Sequence, residues 1–174
     1  MGLKEAIARI LIQSHEKNNL LLADLSDADL FVRPVPGANH IAWQLGHLII
    51  QEYRQMNSQE LKIDYPCLPI GFEEQHSEST ASVNPPTGFL SKREYQALGA
   101  KMHETTLANL AALSDADLEQ PVKGDWGRFM RTLGDLFLGR NRSSQGHSGQ
   151  FAMVRLALGK PSLLEVLDPT RAAR

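Results

Sequence analysis

The sequence predicts an all-α fold: a four-helix bundle with a long proline-rich crossover between its second and third helices. Three observations carry that expectation. Apolar residues recur at three- and four-residue spacing over long runs, and capping or stop residues bracket those runs. No segment shows the convincing period-two alternation of a half-buried strand.

Residues 3–25 read as the first helix, with Leu3, Ile7, Ile10, Leu11, Leu21, Leu22 and Leu25 along one face. The stretch "RPVPGAN" breaks it, and Asn39 is placed to cap a second helix over about residues 40–57, because its side-chain oxygen can accept an orphan backbone N–H. Residues 61–89 carry Pro66, Pro69, Pro85 and Pro86 among scattered polar residues and read as the crossover. Ser91 and Glu94 fit a capping box that opens the third helix, which runs to about residue 113. The fourth follows "PVKGDWGRF" over about residues 130–158 and stops at Gly159, with Pro161 just beyond.

A short repeat accompanies this plan. "LSDADL" occurs at 25–30 and 113–118, and "QLGHL" at 44–48 resembles "TLGDL" at 132–136, at the same offset. Either helix-capping chemistry recurs by itself, or two helix hairpins pack with pseudo-twofold symmetry and bring the second and fourth helices together.

Length and composition bound the class. The 174 residues fit one domain, residues 1–174, and 42% hydrophobic with 22% charged residues is ordinary globular usage. Lys and Arg total 18 against 20 Asp and Glu, so there is no net electrostatic drive toward phosphate backbones, and nucleic acid is not an expected partner. The amino-terminal stretch is amphipathic and broken by charges, which points to no membrane association and a cytoplasmic location. The single cysteine, Cys67, has no second cysteine with which to build a disulfide or zinc motif, and is expected in a loop.

The chemistry-bearing pattern lies on two helices. His40, Gln44, His47 and Gln51 form one narrow polar stripe on an otherwise apolar second helix, and Ser143, His147 and Gln150 form a matching line on the fourth. The stripe either faces solvent, as on any amphipathic helix, or faces the bundle interior, where its imidazoles and amides need partners. In the second case His47 and His147 can approach a common point as ligands of one cation, with Gln44, Gln51, Ser143 and Gln150 lining the pocket. Asp135 is too far along the helix from His147, and Glu52 too far around from His47, to join them.

The segments "IAWQLGHLIIQE", "TLGDLF" and "HSGQFAMVRLALGKP", in this order and spacing, resemble the signature segments of the DinB-like (DinB/YfiT-like) family over most of the chain. The resemblance implies a four-helix bundle, frequently a homodimer. It also implies a divalent metal such as Zn, Ni, Mn or Fe, bound by one histidine on the second helix and by a histidine-or-glutamate and histidine pair, four residues apart, on the fourth. His47 and His147 match two of those ligands, and Ser143 departs from the third. Metal-dependent transfer or hydrolysis on a small molecule, thiol-dependent transfer among them, is the implied activity; a metal-free small-ligand-binding or stress-related protein is the alternative.

The remaining candidates have structural expectations. His15 and His76 are expected at the surface, His40 as a helix-start residue, Trp43 and Trp126 in core or rim packing, and Arg142 and Arg155 as solvated helix arginines. His103 points toward the site or away from it; spacing does not decide.

Overall fold

Why the first helix ends where it does shows how the bundle is held. The computed structural model describes residues 2–83, 87–168 and 170. Helix α1 (Leu3–Leu22) buries Ile7, Leu11, Leu21 and Leu22 and stops short of the expected residue 25. Its last turn has no basic residue, so its orphan carbonyls depend on cations from elsewhere. Lys92 donates to the carbonyls of Leu22 and Ala23, both at 3.2 Å, and to that of Leu25. Arg155 donates to the Leu21 carbonyl at 2.8 Å.

Helix α2 (Ile41–Asn57) begins one residue later than expected, and its cap is His40 rather than Asn39. The His40 Nδ1 accepts the Trp43 backbone N–H at 3.1 Å, so the ring does what an Asn side chain would have done. The crossover contains the short helix α3 (Phe72–Gln75) and a 3-10 turn, Glu78–Thr80; Pro85 and Pro86 lie outside the described residues. Gly71 enters α3 at φ +76°, a conformation that favours glycine. His76, expected at the surface, is instead only 3% exposed. Its Nδ1 donates to the Phe72 carbonyl at 2.7 Å, and its Nε2 accepts from the Tyr95 hydroxyl at 2.6 Å. A Cβ on Gly46 would fall 2.0 Å from the His76 ring, so a glycine on α2 is what lets the crossover close on the bundle.

Helix α4 (Lys92–Ala112) opens on the expected Ser91–Glu94 capping box. Helix α5 (Asp115–Leu118) follows, then a 3-10 turn, Gly124–Arg128. Helix α6 (Leu133–Ala157), the fourth helix of the sequence reading, starts at a Thr132–Asp135 capping box rather than at residue 130. Gly159, at φ +67°, ends it as expected. A last helix, α7 (Leu163–Leu167), is capped by Ser162 and Glu165. The sequence reading did not anticipate the short elements α3, α5 and α7. Too brief to show a periodic face, they are held by caps and tertiary contacts.

The four long helices close into a ring in the order α1, α6, α2, α4, so α1 and α2, neighbours in sequence, lie diagonally across the bundle. Leu21, Ile41, Leu136, Phe137, Phe151 and Val154, at 0% exposure, mark its centre. The contact between α2 and α6 is the one the symmetric reading of the repeat requires. The two "LSDADL" copies also make the same reciprocal hydrogen bonds, Ser26 with Asp29 and Ser114 with Asp117. Each copy thus turns the chain after a long helix by the same capping chemistry.

Arg155 overturns its expectation of solvation. It is 1% exposed, donates to both Asp24 carboxylate oxygens, the Leu21 carbonyl and the Pro161 carbonyl, and ties α6 and the segment before α7 to the end of α1. Arg142 is exposed, Trp43 is buried and Trp126 is half-buried against the core, all as expected. Cys67 is exposed in the crossover. Among the described residues no helix is long and apolar enough to cross a membrane.

Candidate functional site

The polar stripe of α2 turns inward. His40 and Gln44 are fully buried, and His47 and Gln51 are half-buried at the seam with α6. The solvated-face reading therefore gives way to the interior one, and each polar group has to be accounted for.

Gln44 sets the chemistry of His147. Its amide nitrogen donates to the Asn39 carbonyl at 2.8 Å, which fixes the amide so that Oε1 meets His147 Nδ1 at 2.9 Å. A carbonyl oxygen only accepts, so Nδ1 carries the ring proton and Nε2 of the neutral ring carries the lone pair. Burial, with His47 and Arg140 nearby, holds the His147 pKa down at about 4, so the neutral form persists at physiological pH.

His47 approaches from the facing helix, its ring centroid 5.6 Å from that of His147. Trp43, one turn earlier, stacks on the His47 ring at 5.0 Å with planes 13° apart, and is itself anchored by its indole N–H to the Ser77 carbonyl at 3.0 Å. The His47 pKa is lowered, first by burial and then by the Arg140 guanidinium.

Below the histidines the seam is a chain of hydrogen bonds. Ser143 Oγ donates to Gln51 Oε1 at 2.6 Å, and Arg140 reaches the same oxygen at 3.4 Å. Arg140, 6% exposed, also pairs with Glu52 at 3.0 Å. Glu52 accepts from Thr106, which in turn bonds the Tyr65 hydroxyl at 2.8 Å. Gln150 does not join this group: it is exposed and lines a shallow groove with Pro34, Val35 and Met153. Asp135 is occupied in capping α6.

Does this donor set fit a divalent cation? Two imidazoles sharing one tetrahedral ion on bonds of about 2.0–2.1 Å place their ring centroids roughly 5 Å apart, close to the spacing here. His147 also has the outer hydrogen bond that orients a ligating imidazole. The third position is weaker, because Ser143 offers a neutral hydroxyl and Gln51 an amide oxygen that is already engaged. Among the described residues no group of three or more His, Cys, Asp or Glu is arranged to hold an ion. The residues fit a cation held by two imidazoles and one weak oxygen.

Arg140 and Glu52 were missed as a pair by the sequence reading. Arg140 lies three residues before Ser143 and seven before His147, on the same face of α6, so helical spacing could have found it. His15, expected at the surface, is half-buried and stacked on His103, centroids 4.3 Å apart and planes 4° from parallel. That contact also settles the direction of His103, which faces α1.

A helical bundle with imidazoles from two facing helices at one interior seam is the class defined so far. Residues 10–151 match the DinB superfamily, and the chain belongs to that family. No curated protein matches the chain. A crystal structure of a conserved protein from Enterococcus faecalis superimposes with a TM-score of 0.68 at 17% identity, over 92% of this chain and 99% of that one, a likeness of fold.

Proposed function

We propose that His47 and His147 are the working pair of a DinB-type transferase or hydrolase acting on a small molecule. Thiol-dependent transfer is the form taken up from the family resemblance, and the pair would hold a divalent cation such as Zn, Ni, Mn or Fe. The observation that carries this reading is the tautomer of His147: Gln44 occupies Nδ1 and leaves the Nε2 lone pair available beside His47. When bound, such an ion supplies a lowered pKa to a thiol or water. The protein's own part is positional. Gln44 orients one imidazole, Trp43 backs the other, and Gln51 with Ser143 presents polar oxygens to an incoming group. A cytoplasmic homodimer belongs to the same reading.

The metal-free alternative, a small-ligand-binding protein, is favoured by one feature. The Arg140 guanidinium beside the pair opposes a second positive charge. Calorimetric titration of tag-free, chelator-treated protein with Zn, Ni and Mn salts separates the two. The metal reading expects one site per chain, lost in His147→Ala and strengthened about tenfold or more in Ser143→His, which restores a third imidazole. No binding by the wild type together with binding by Ser143→His would leave the metal-free reading.

A further inference from the structure

The four long helices line a second, half-open space that has neither His47 nor His147 in its walls. The cavity is about 90 Å³, several times what one water needs, roughly 10–15 Å³. Leu11, Leu45, Leu48 and Ile49 supply an apolar body of wall. Gly99, in the middle of α4, leaves one side open: a Cβ there would meet nothing nearer than Ile49 at 4.0 Å. A glycine inside a helix costs about 1 kcal/mol against alanine, so the position keeps space at the expense of helix stability.

The polar part of the wall is incompletely used. Asn18 is tied to Ser144 at 2.9 Å, and Gln96 to Asn19 at 3.3 Å, so these amides already have partners. Arg140 lines the wall too, but its Nε–H is fully enclosed, without a hydrogen-bond partner among the described residues. Two groups differ. The imidazoles of His15 and His103 stack on each other and make no hydrogen bond among the described residues. Burial, and His15 beside it, holds the His103 pKa down at about 4, which leaves that ring neutral, with one donor and one acceptor. Arg140 is charge-balanced by Glu52, so the wall offers hydrogen bonds without net charge. An ionised ligand would lose its hydration there without a free opposite charge to replace it.

We propose that this cavity binds a small neutral organic molecule with an apolar body and one oxygen-bearing head, such as a phenol or a carbonyl compound. The body lies against Leu45, Leu48 and Ile49, and the head bonds the His15–His103 pair. This inference stands on residues other than the two histidines of the seam and holds whether or not they bind a cation.

The test is ¹⁹F NMR titration of the full chain with 4-fluorophenol, fluorobenzene and 4-fluorobenzoate at neutral pH. Saturable binding of 4-fluorophenol is expected, about fivefold or more tighter than that of fluorobenzene, which lacks the head, and of 4-fluorobenzoate, which is charged. Gly99→Leu should fill the space and weaken 4-fluorophenol about tenfold or more, while His103→Phe keeps the stack and removes the head's partner, weakening it less. Gly99→Ala, whose added methyl enters open space, serves if the leucine variant does not fold, with a smaller loss expected. The inference is overturned if 4-fluorophenol does not bind, which leaves a water-filled cavity. It is equally overturned if its binding is indifferent to both Gly99 variants, or if 4-fluorobenzoate binds most tightly.

Discussion

Helix α6 carries two buried arginines, Arg155 and Arg140, and they are satisfied differently. Arg155 donates through Nε and both terminal nitrogens, to two main-chain carbonyls and both oxygens of Asp24. Among the described residues Arg140 has one firm partner, Glu52 at 3.0 Å, two contacts at 3.4 Å, and a buried Nε without an acceptor. A fully bonded buried cation is a structural tie whose function ends with the fold. A partly bonded one keeps an enclosed donor without an acceptor, and it lies between a histidine seam and a cavity.

The largest expected effect follows from breaking the tie. Arg155→Met removes the charge at similar length, leaves the Leu21 carbonyl without the guanidinium, and leaves Asp24 with Lys160 at 3.9 Å as its neighbouring cation. A loss of about 3 kcal/mol is expected in denaturant unfolding, less than for a fully enclosed pair because Asp24 is 48% exposed. Arg155→Lys should recover little, since one ammonium cannot reproduce the fork. A loss under about 1 kcal/mol would mean that the bonds at this corner are exchanged for water at no cost.

Arg140→Met sharpens the contrast. It strands Glu52, 12% exposed, with Thr106 as its remaining donor, and a loss of about 2 kcal/mol is expected. Unlike the Arg155 case, much of it should return in Arg140→Met/Glu52→Gln, because neutralising the stranded carboxylate removes the penalty. If the double variant is no more stable than the single one, Arg140 acts through packing rather than through its charge.

What could be read beforehand divides along the same line. The long helices, the Ser91 cap and the Gly159 stop came from periodicity and capping, which are local and act within a few residues, whereas the convergence of the second and fourth helices was one of two readings of the repeat. The seam was legible as two lines at helical spacing, since His47, His147, Gln44, Gln51 and Ser143 all lie on it. The fates of Arg155, His76 and His15 were not, because burial of a polar side chain depends on acceptors far away in sequence. Asp24 lies 131 residues from Arg155, and the Tyr95 hydroxyl lies 19 from His76. Gln150 continued the α6 line in sequence, but it lies level with the segment before α2, beside Pro34, Val35, Ala38 and Asn39, and is exposed there.

The smallest expected effect concerns a third incompletely satisfied group, His40. Its Nδ1 accepts the Trp43 N–H, so the proton sits on Nε2, which is buried without a hydrogen-bond partner among the described residues, the ring lying in T-shaped contact with Phe31 and Phe89. A protonated ring has no acceptor, so protonation would destroy the cap of α2. Burial, first, and then the nearby Arg33 hold its pKa down at about 4, whereas the unfolded chain takes up the proton near pH 6.5. The unfolded state therefore binds more protons between these values, and stability falls as pH is lowered through that window. His40→Asn, which can still cap the helix but does not titrate there, should flatten the decline between pH 7 and pH 5 by on the order of 1 kcal/mol. Melting temperatures of the two proteins across that range measure the difference. Parallel curves would mean that His40 keeps its ordinary proton affinity and that the cap survives protonation, which the geometry of Nδ1 forbids.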